Sequence, residues 1–205
     1  MRTLTTLATL LFAAPAAAGI AGAEFSGELG TLRNGDPTFD LFSSADAMPS
    51  RGLRLGISPV GRVTILAGWH HVGRGSVVEF EDSDERFYSA FLADEFTAGA
   101  KLDAELGEWF YPYVSGNLML IRGQMRFDDN DQIDFNANQL KASSLAPGLL
   151  GMAGTEFRVP QRDGPVTIAW YLEMGYGWVG RTTFDDFGDM KPGGFALRSG
   201  LGLRF

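Results

Sequence analysis

The sequence predicts an all-β protein whose chain closes into an eight-stranded, antiparallel, up-and-down barrel. Apolar residues alternate with small or polar residues in eight segments, and a period of two is the pattern of a β-strand. Four long connections alternate with three short ones, as in hairpins that follow one another around a barrel. The last segment keeps one continuous apolar face up to Phe205, which indicates a closing strand rather than a surface edge.

Each predicted strand follows from its alternation. The strands cover residues 25–32, 52–58, 63–72, 95–106, 112–127, 144–159, 166–178 and 194–205. Their apolar faces carry, in chain order, Phe25 and Leu29; Leu53, Leu55 and Ile57; Val63, Ile65 and Trp69; Phe96, Leu102 and Leu106; Val114, Leu118 and Leu120; Leu145, Leu149 and Phe157; Ile168, Trp170, Leu172 and Met174; Leu197, Leu201 and Leu203. The pattern slips at Ile121-Arg122, which predicts a bulge or a membrane boundary there. Pro147 conflicts mildly with a paired strand.

The connections divide into two classes by length and composition. Long ones cover residues 34–50, 73–94, 128–143 and 180–193, and short turns lie at 59–62, 107–111 and 160–165. The long connections carry 16 acidic and 5 basic residues, whereas the rest of the predicted mature chain carries 9 and 11. Acidic charge therefore concentrates on one predicted side of the barrel.

The first 23 residues have the pattern of a secretory signal peptide. Arg2 precedes an apolar centre at 4–12 and a run of small residues at 14–23. Ala21-Gly22-Ala23 is the preferred cleavage site and residues 16–18 the second choice, so the predicted barrel domain is 24–205. Loss of Arg2 leaves 25 acidic and 16 basic residues, a net charge that argues against nucleic acid as a partner. The absence of cysteine excludes a disulfide scaffold.

The terminal strand carries a short motif. Arg198, Gly200, Leu203 and Phe205 place a polar residue, a glycine, an apolar residue and a terminal aromatic residue at fixed spacing. This resembles the closing strand of bacterial outer-membrane β-barrels, whose terminus is read by the barrel assembly machinery. The resemblance implies an eight-stranded antiparallel up-and-down transmembrane β-barrel of OmpA- or OmpX-like architecture, in the cell envelope of a Gram-negative bacterium.

Strand length favours a membrane barrel over a soluble one. Residues 195–205 extend roughly 33 Å, which projects to about 25 Å at a tilt of about 40°, the height of the apolar band of such barrels. The seventh strand puts seven apolar residues on one face, against a usual strand length of about 5–6 residues. Two aromatic girdles are predicted: Trp109, Tyr111, Tyr113 and Phe205 on the inner side, and Trp69, Tyr176, Trp178 and Phe195 on the outer side. A secreted, soluble, lipocalin-like barrel is the alternative.

Ten ionisable residues fall on the faces that would point into the barrel. They are Glu28, Arg54, Lys101, Asp103, Glu105, Glu156, Arg158, Glu173, Arg198 and Arg204, five of each sign. An eight-stranded barrel is just wide enough for its own side chains, and buried charges must pair. We therefore expect a lumen plugged by charge pairs; an ion pathway is the alternative.

The residues that could carry chemistry are few. His70 and His71 are adjacent and point to opposite faces, so they cannot share a metal, and both are interpreted as interfacial rings beside Trp69. Outer-membrane enzymes that deacylate lipid A use a His, a nearby Ser and a carboxylate, but Val72 and Gly73 stand where that Ser would be. The acidic run 128–134 lacks the glycine and closing glutamate of a calcium loop. No catalytic residue, cofactor or metal site is predicted.

The predicted function is therefore structural, surface-interactive or adhesive. The expected partners are outer-membrane lipid and lipopolysaccharide, the barrel assembly machinery, and divalent cations at the acidic connections, with the protein itself a monomer. A narrow, porin-like pore or small-solute carrier is the second reading, and a lipid-modifying enzyme the third.

Overall fold

The computed structural model describes residues 22–37, 39, 47–79, 86–128, 140–159, 166–184 and 188–205. The strands are β1 Gly22–Arg33, β2 Ala47–Val60, β3 Val63–Glu79, β4 Arg86–Asp103, β5 Phe110–Asp128, β6 Leu140–Arg158, β7 Thr167–Val179, β8 Thr182–Phe184, β9 Gly188–Met190 and β10 Gly194–Arg204. Within these ranges no helix has the length and apolar character needed to span a membrane.

The eight long strands form one closed barrel. Their order is β1-β10-β7-β6-β5-β4-β3-β2, with every neighbouring pair antiparallel, and β8 and β9 form a separate small hairpin. The seam joins β1 to β10, from Glu24 opposite Arg204 to Arg33 opposite Phe195. The backbone N–H of Phe205 donates to the Ala23 carbonyl at 2.9 Å, so the last residue is held in the seam. The predicted all-β, eight-stranded antiparallel barrel is confirmed.

The barrel wall is apolar on its outside. Because alternate residues of each strand point outward, large apolar side chains remain exposed along the strands; examples are Leu29 at 70%, Leu118 at 69% and Trp178 at 59%. Such side chains surround the barrel and form one continuous surface rather than scattered positions. A contiguous apolar surface of this kind marks contact with a membrane or another protein.

The second predicted long connection is wrong. Most of residues 73–94 belongs to β3 and β4, which pair from Val63 opposite Leu102 to Glu79 opposite Arg86. Backbone alternation continues past Val72, but the outward residues there are Gly73, Gly75 and Val77, of which only Val77 is large and apolar. A strand without a continuous apolar face is missed by a search for amphipathic alternation. For the same reason residues 47–50, 140–143, 182–184 and 188–190 are strands where connections were predicted.

Strand five continues without a bulge. β5 pairs with β4 and with β6 in unbroken register, so the slip at Ile121-Arg122 is a change of side chains and not of backbone. Ile121 points inward and is buried, whereas Arg122 points outward. Pro147 sits in β6 opposite Leu120 without disturbing the register. Residues 1–21 of the predicted signal peptide, the turn at 160–165 and the acidic stretches 80–85, 129–139 and 185–187 lie outside the described residues, whereas Gly22 and Ala23 belong to β1.

Candidate functional site

The inside of the barrel is divided into three layers along its axis. The turn-side network, nearest the short turns, consists of Glu24, Lys101, Asp103, Glu156, Arg158 and Arg204. The central network consists of Glu28, Arg54, His70, Glu95, Tyr113, Tyr171, Glu173 and Arg198. The apolar cap, nearest the long connections, includes Leu32, Met48, Val72, Phe91, Met119, Ile121, Met125, Phe184 and Met190.

The turn-side network is a balanced set of three carboxylates and three cations. Lys101 Nζ donates to both carboxylate oxygens of Glu24, at 2.9 and 2.8 Å, and to Glu156 Oε2 at 3.1 Å. Arg158 donates to Glu156 at 2.7 Å and to Asp103 at 2.6 Å. Arg204 Nη1 reaches Glu156 at 3.1 Å. Lys101 is only 1% exposed, so these contacts replace the hydrogen bonds that its ammonium group would make with water.

Arg54 joins two carboxylates of the central network. Its Nη1 donates to Glu173 Oε2 at 2.9 Å, and its Nε lies 3.1 Å from Glu28 Oε1. The guanidinium also stacks over the ring of Tyr171, 3.9 Å from its centroid. Glu173 accepts a second hydrogen bond, from the Tyr113 hydroxyl at 2.7 Å. Glu173 is therefore held by one charge-assisted and one neutral donor while it is 2% exposed.

His70 completes the central network from β3. Its Nε2 contacts Glu28, and its Nδ1 lies 3.6 Å from Glu95 Oε1. Glu95 in turn accepts a hydrogen bond from Arg198 Nη2 at 2.5 Å. The network contains three carboxylates, two guanidinium groups and one imidazole, and the imidazole lies between the Glu28 and Glu95 carboxylates. His70 thus links the Glu28 and Glu95 halves of the network.

The apolar cap closes the opposite end with packed side chains. Phe91 on β4 lies at its centre and is completely buried. Phe39, from the connection after β1, meets it edge-on at a centroid distance of 5.8 Å, and Phe184 of β8 at 6.4 Å. Met48, Met125 and Met190 are equally buried. The cap therefore draws on the barrel wall, on one connection and on the small hairpin.

Little empty space remains between the layers. One cavity beside Glu24, Arg54 and Arg204 and another beside Glu28, His70 and Arg198 each measure about 10 Å³. A volume of this size admits about one water molecule. In the described part of the chain, no group of three or more His, Cys, Asp or Glu residues has the arrangement of a metal site.

The structure brings together nine of the ten residues predicted to face inward. Glu105 is the exception, because β4 ends at Asp103 and Glu105 lies exposed in the following turn. Two residues predicted for the inner girdle also belong inside: Tyr113 is 5% exposed and binds Glu173, and the Tyr111 ring lies 3.5 Å from Arg158 Cζ. Parity explains both, since odd-numbered residues of β5 point inward.

The other predicted girdle residues face outward or lie at the seam. Trp69, Tyr176, Trp178 and Phe195 are all exposed on the outer wall, and Trp109 is exposed at the turn end. Phe205 pairs with Ala23, and Arg198, Gly200 and Leu203 occupy β10 opposite Gly30, Glu28 and Phe25.

On the turn side, Trp109 stacks on Phe157 and Phe157 on Trp170, with ring centroids 5.8 and 5.1 Å apart. Phe157 and Trp170 are therefore aromatic belt residues that the sequence reasoning missed.

Two network acids and one base were also missed. Glu24 is predicted only as the first residue of the mature chain, and Glu95 falls on the predicted inward face of its strand but is absent from the predicted charge set. His70 was interpreted as interfacial, but it is 2% exposed and lies inside the barrel. The parity of β3 contained the signal, because His70 alternates with the outward Trp69 and His71. His71 does lie at the outer wall, where its Nδ1 is 3.1 Å from Asp94 Oδ1.

Half of the barrel wall extends beyond the other half. β2 pairs with β3 only as far as Ser50 opposite Val72, yet β3 continues to Glu79. On the other side, β7 pairs with β6 only from Gly148, whereas β6 begins at Leu140. The ends of β3, β4, β5 and β6 that lie away from the short turns thus form a protruding sheet. Residues 73–79 add roughly 23 Å to the length of β3. Among the described strands, β4 alone pairs with residues 73–79.

No family model and no curated protein matches this chain. Several solved structures match its fold. The crystal structure of Ail, the attachment invasion locus protein of Yersinia pestis, aligns with a TM-score of 0.52 and 18% identity, covering 90% of this chain and 98% of that one. Ail in complex with the heparin analogue sucrose octasulfate aligns with the same TM-score and coverage at 17% identity. Neisserial surface protein A aligns with a TM-score of 0.48 and 11% identity, over 89% of this chain and 95% of that one.

The chain has the fold of the small eight-stranded outer-membrane β-barrels. At identities this low the Ail structures establish the fold and nothing more specific. The predicted resemblance to this class of barrel is confirmed.

Proposed function

We propose that this protein is an integral outer-membrane β-barrel that displays a β-sheet at the cell surface for interaction with other molecules. The protruding sheet carries the proposal, because a barrel that served only as an anchor would have no use for strands that extend beyond its neighbours. Among the described strands only β4 pairs with residues 73–79 of β3, which leaves the other side of this segment as an edge that can accept an added strand. The stretches 80–85 and 129–139 between these strands are acidic, which favours a partner with a basic surface.

The lumen argues against the pore that is the second candidate. Ion pairs, buried aromatic rings and a packed apolar cap occupy the interior from one end to the other. The two cavities beside the networks measure about 10 Å³ each, room for about one water molecule, which does not support a continuous water column. A closed lumen fits a protein whose function lies in its surface.

An enzymatic function has weaker support. His71 and Asp94 form a pair on the outer wall, as in a catalytic site that faces lipid. A nucleophile must lie within hydrogen-bond reach of such a base, but the outward neighbours of His71 across the strands are Arg51 and Asp94. Neither is a nucleophile of the type that a deacylase needs.

Cysteine labelling tests the topology directly, because the chain contains no cysteine of its own. Val77→Cys and Ser143→Cys lie on the protruding sheet, and Arg62→Cys and Glu105→Cys are exposed at the turn side. With a membrane-impermeant maleimide, intact cells should label only the first two, and permeabilised cells all four. Labelling at residue 62 or 105 in intact cells would invert the proposed orientation.

A shortened hairpin tests the surface interaction. Residues 77–88 are replaced by Asn-Gly, which joins the opposed residues Ser76 and Ser89 in a tight turn. The barrel should still insert, while cells should lose adhesion to immobilised lysozyme, a basic protein. Succinylated lysozyme, in which that charge is reversed, is the matched surface and should bind neither form. Equal adhesion of full-length and shortened forms would contradict the proposal.

The terminal motif is proposed to be the signal for the assembly machinery. Arg198, Gly200, Leu203 and Phe205 stand at its required positions at the end of β10, the strand that pairs with β1 to close the barrel. Deletion of Phe205 should lower the amount of inserted protein in cells more than it lowers the stability of a refolded barrel. Normal insertion after the deletion would refute this role.

A further inference from the structure

The first strand begins two residues before the first residue of the predicted mature chain. Gly22 and Ala23 precede Glu24, and both belong to β1. They pair with the neighbouring strand β2, Gly22 opposite Ser58 and Ala23 opposite Ile57. Without these two residues, β1 would stop short of the turn-side end of β2.

Ala23 also pairs across the seam with the closing strand. Its N–H donates to the Phe205 carbonyl at 3.1 Å, and the Phe205 N–H donates to the Ala23 carbonyl at 2.9 Å. Gly22 passes close to the same residue, since a Cβ at this position would meet the Phe205 carbonyl oxygen at 3.0 Å. Cleavage after Ala23, which is the preferred site of the sequence, would remove both hydrogen bonds.

A mature chain that began at Glu24 would also change the charge of the turn-side network. The Glu24 carboxylate accepts two hydrogen bonds from Lys101, and the network balances three carboxylates with three cations. An α-amino group is largely protonated at pH 7. At Glu24 it would add a fourth cation to β1 at the position opposite Arg204, whereas a peptide N–H there adds no charge. The network is therefore matched to a chain that continues upstream of Glu24.

The second cleavage site of the sequence keeps both paired residues. Ala16 and Ala18 are small residues at the third and first positions before a cut, as signal peptidase requires. The apolar centre of the signal peptide ends at Phe12, and Ala18 follows it by six residues, whereas Ala23 follows it by 11. A cut after Ala18 therefore lies closer to the apolar segment and leaves β1 intact.

We propose that signal peptidase cuts after Ala18, so that the mature chain begins at Gly19. This chain keeps Gly22 and Ala23 as the partners of Phe205. Hydrolysis breaks the amide bond between residues 18 and 19; water supplies the hydroxyl of the new carboxyl group and a proton to the new amine. The new α-ammonium group is separated from Glu24 of the turn-side network by five positions along the chain. The inference rests on the proposed outer-membrane location but not on any partner of the protruding sheet.

The intact mass of the full-length gene product, purified from outer membranes, tests the site. The expected mature chain spans residues 19–205, five residues more than a chain that begins at Glu24. N-terminal sequencing identifies the first residue independently of the mass. A mature chain that begins at any residue other than Gly19 would overturn the proposed site.

Two leucine variants test which alanine the peptidase reads, because the residue immediately before the cut must be small. Ala18→Leu should raise the uncleaved fraction at least about ten-fold, whereas Ala23→Leu should be processed like wild type. Ala23 has the outward parity of Phe25, so a leucine there faces lipid and fits the barrel wall. The reverse pattern would assign the cut to Ala23 and overturn the proposal, as would normal processing of both variants.

A pair of deletions tests the pairing with Phe205. Deletion of residues 19–23 starts the mature chain at Glu24 and removes both hydrogen bonds, whereas deletion of residues 19–20 keeps them and is the matched control. The longer deletion should lower the unfolding temperature of the purified barrel by roughly 2–10 °C, and the control should unfold like wild type. Equal unfolding temperatures for the two deletions would refute the pairing role. If cysteine labelling supports the outer-membrane location while the mature chain begins at Glu24, only the cleavage site fails.

Discussion

The central network and the apolar cap fill the same barrel with opposite chemistry. Along β5 the inward residues change within a few positions, from Tyr113 in the network to Met119, Ile121 and Met125 in the cap. Each network residue is held by named partners at hydrogen-bond distance, whereas each cap residue is held by the volume of its neighbours. The two regions should therefore respond differently to substitutions that keep size and shape, and this difference is open to direct test.

The largest effect is expected at Glu173 in the central network. Glu173→Ala leaves the buried Arg54 guanidinium without one of its two carboxylates, which should lower the free energy of unfolding by about 3–5 kcal/mol. Glu173→Gln should cost less, because the amide oxygen still accepts a hydrogen bond from Arg54 or Tyr113. Urea unfolding of the refolded barrel in detergent measures both.

Glu105→Ala is the matched control for this experiment. It removes the same type of side chain from an exposed turn, so the change should stay within about 0.5 kcal/mol. If Glu173→Ala is no more destabilising than this control, the paired network does not stabilise the barrel.

Met125 tests the cap by the same method. Met125→Ala opens a cavity among buried side chains and should cost about 2–5 kcal/mol. Met125→Leu keeps the volume and should cost less than about 1.5 kcal/mol. A larger loss for the leucine variant than for Glu173→Gln would contradict the contrast between the two regions.

A smaller effect is expected for the coupling between His70 and Glu28. The two side chains are in direct contact, so the double variant His70→Gln/Glu28→Gln should be less destabilised than the sum of the single variants. The interaction energy should be about 0.5–3 kcal/mol. Met48 lies in the apolar cap and Glu28 in the central network, so Met48→Leu/Glu28→Gln provides the control cycle and should be additive. Additivity in both cycles would show that His70 is not part of the network.

The fold was predictable because period-two alternation assigns every strand residue to one of two faces. That parity was enough to place Arg54, Lys101 and Glu173 inside. Parity does not predict which of these residues form ion pairs. Lys101, for example, contacts residues of β1 and β6, and which side chains meet across the lumen depends on the tilt and stagger of the strands.

Two parts of the structure escaped the pattern for physical reasons. On the protruding strands small or polar residues such as Gly73, Gly75, Gln124 and Ser143 hold most outward positions, so a hydropathy pattern does not show their alternation. In the cap, the inward Met119 and Ile121 alternate with the outward Leu118 and Leu120, so both faces are apolar and the sequence shows no contrast between them. The position of His70 could have been predicted, because strand alternation puts it on the face opposite Trp69 and therefore inside the barrel.

Planar-bilayer conductance tests the central claim that the network and the cap together close the lumen. Purified wild-type protein reconstituted at single-molecule density should show no steady current at moderate voltage, because ion pairs and packed apolar side chains fill the lumen and the two cavities beside the networks each admit about one water molecule. Steady, unitary current steps from wild type, inserted in the same orientation that cysteine labelling establishes, would contradict the closed lumen and favour the pore.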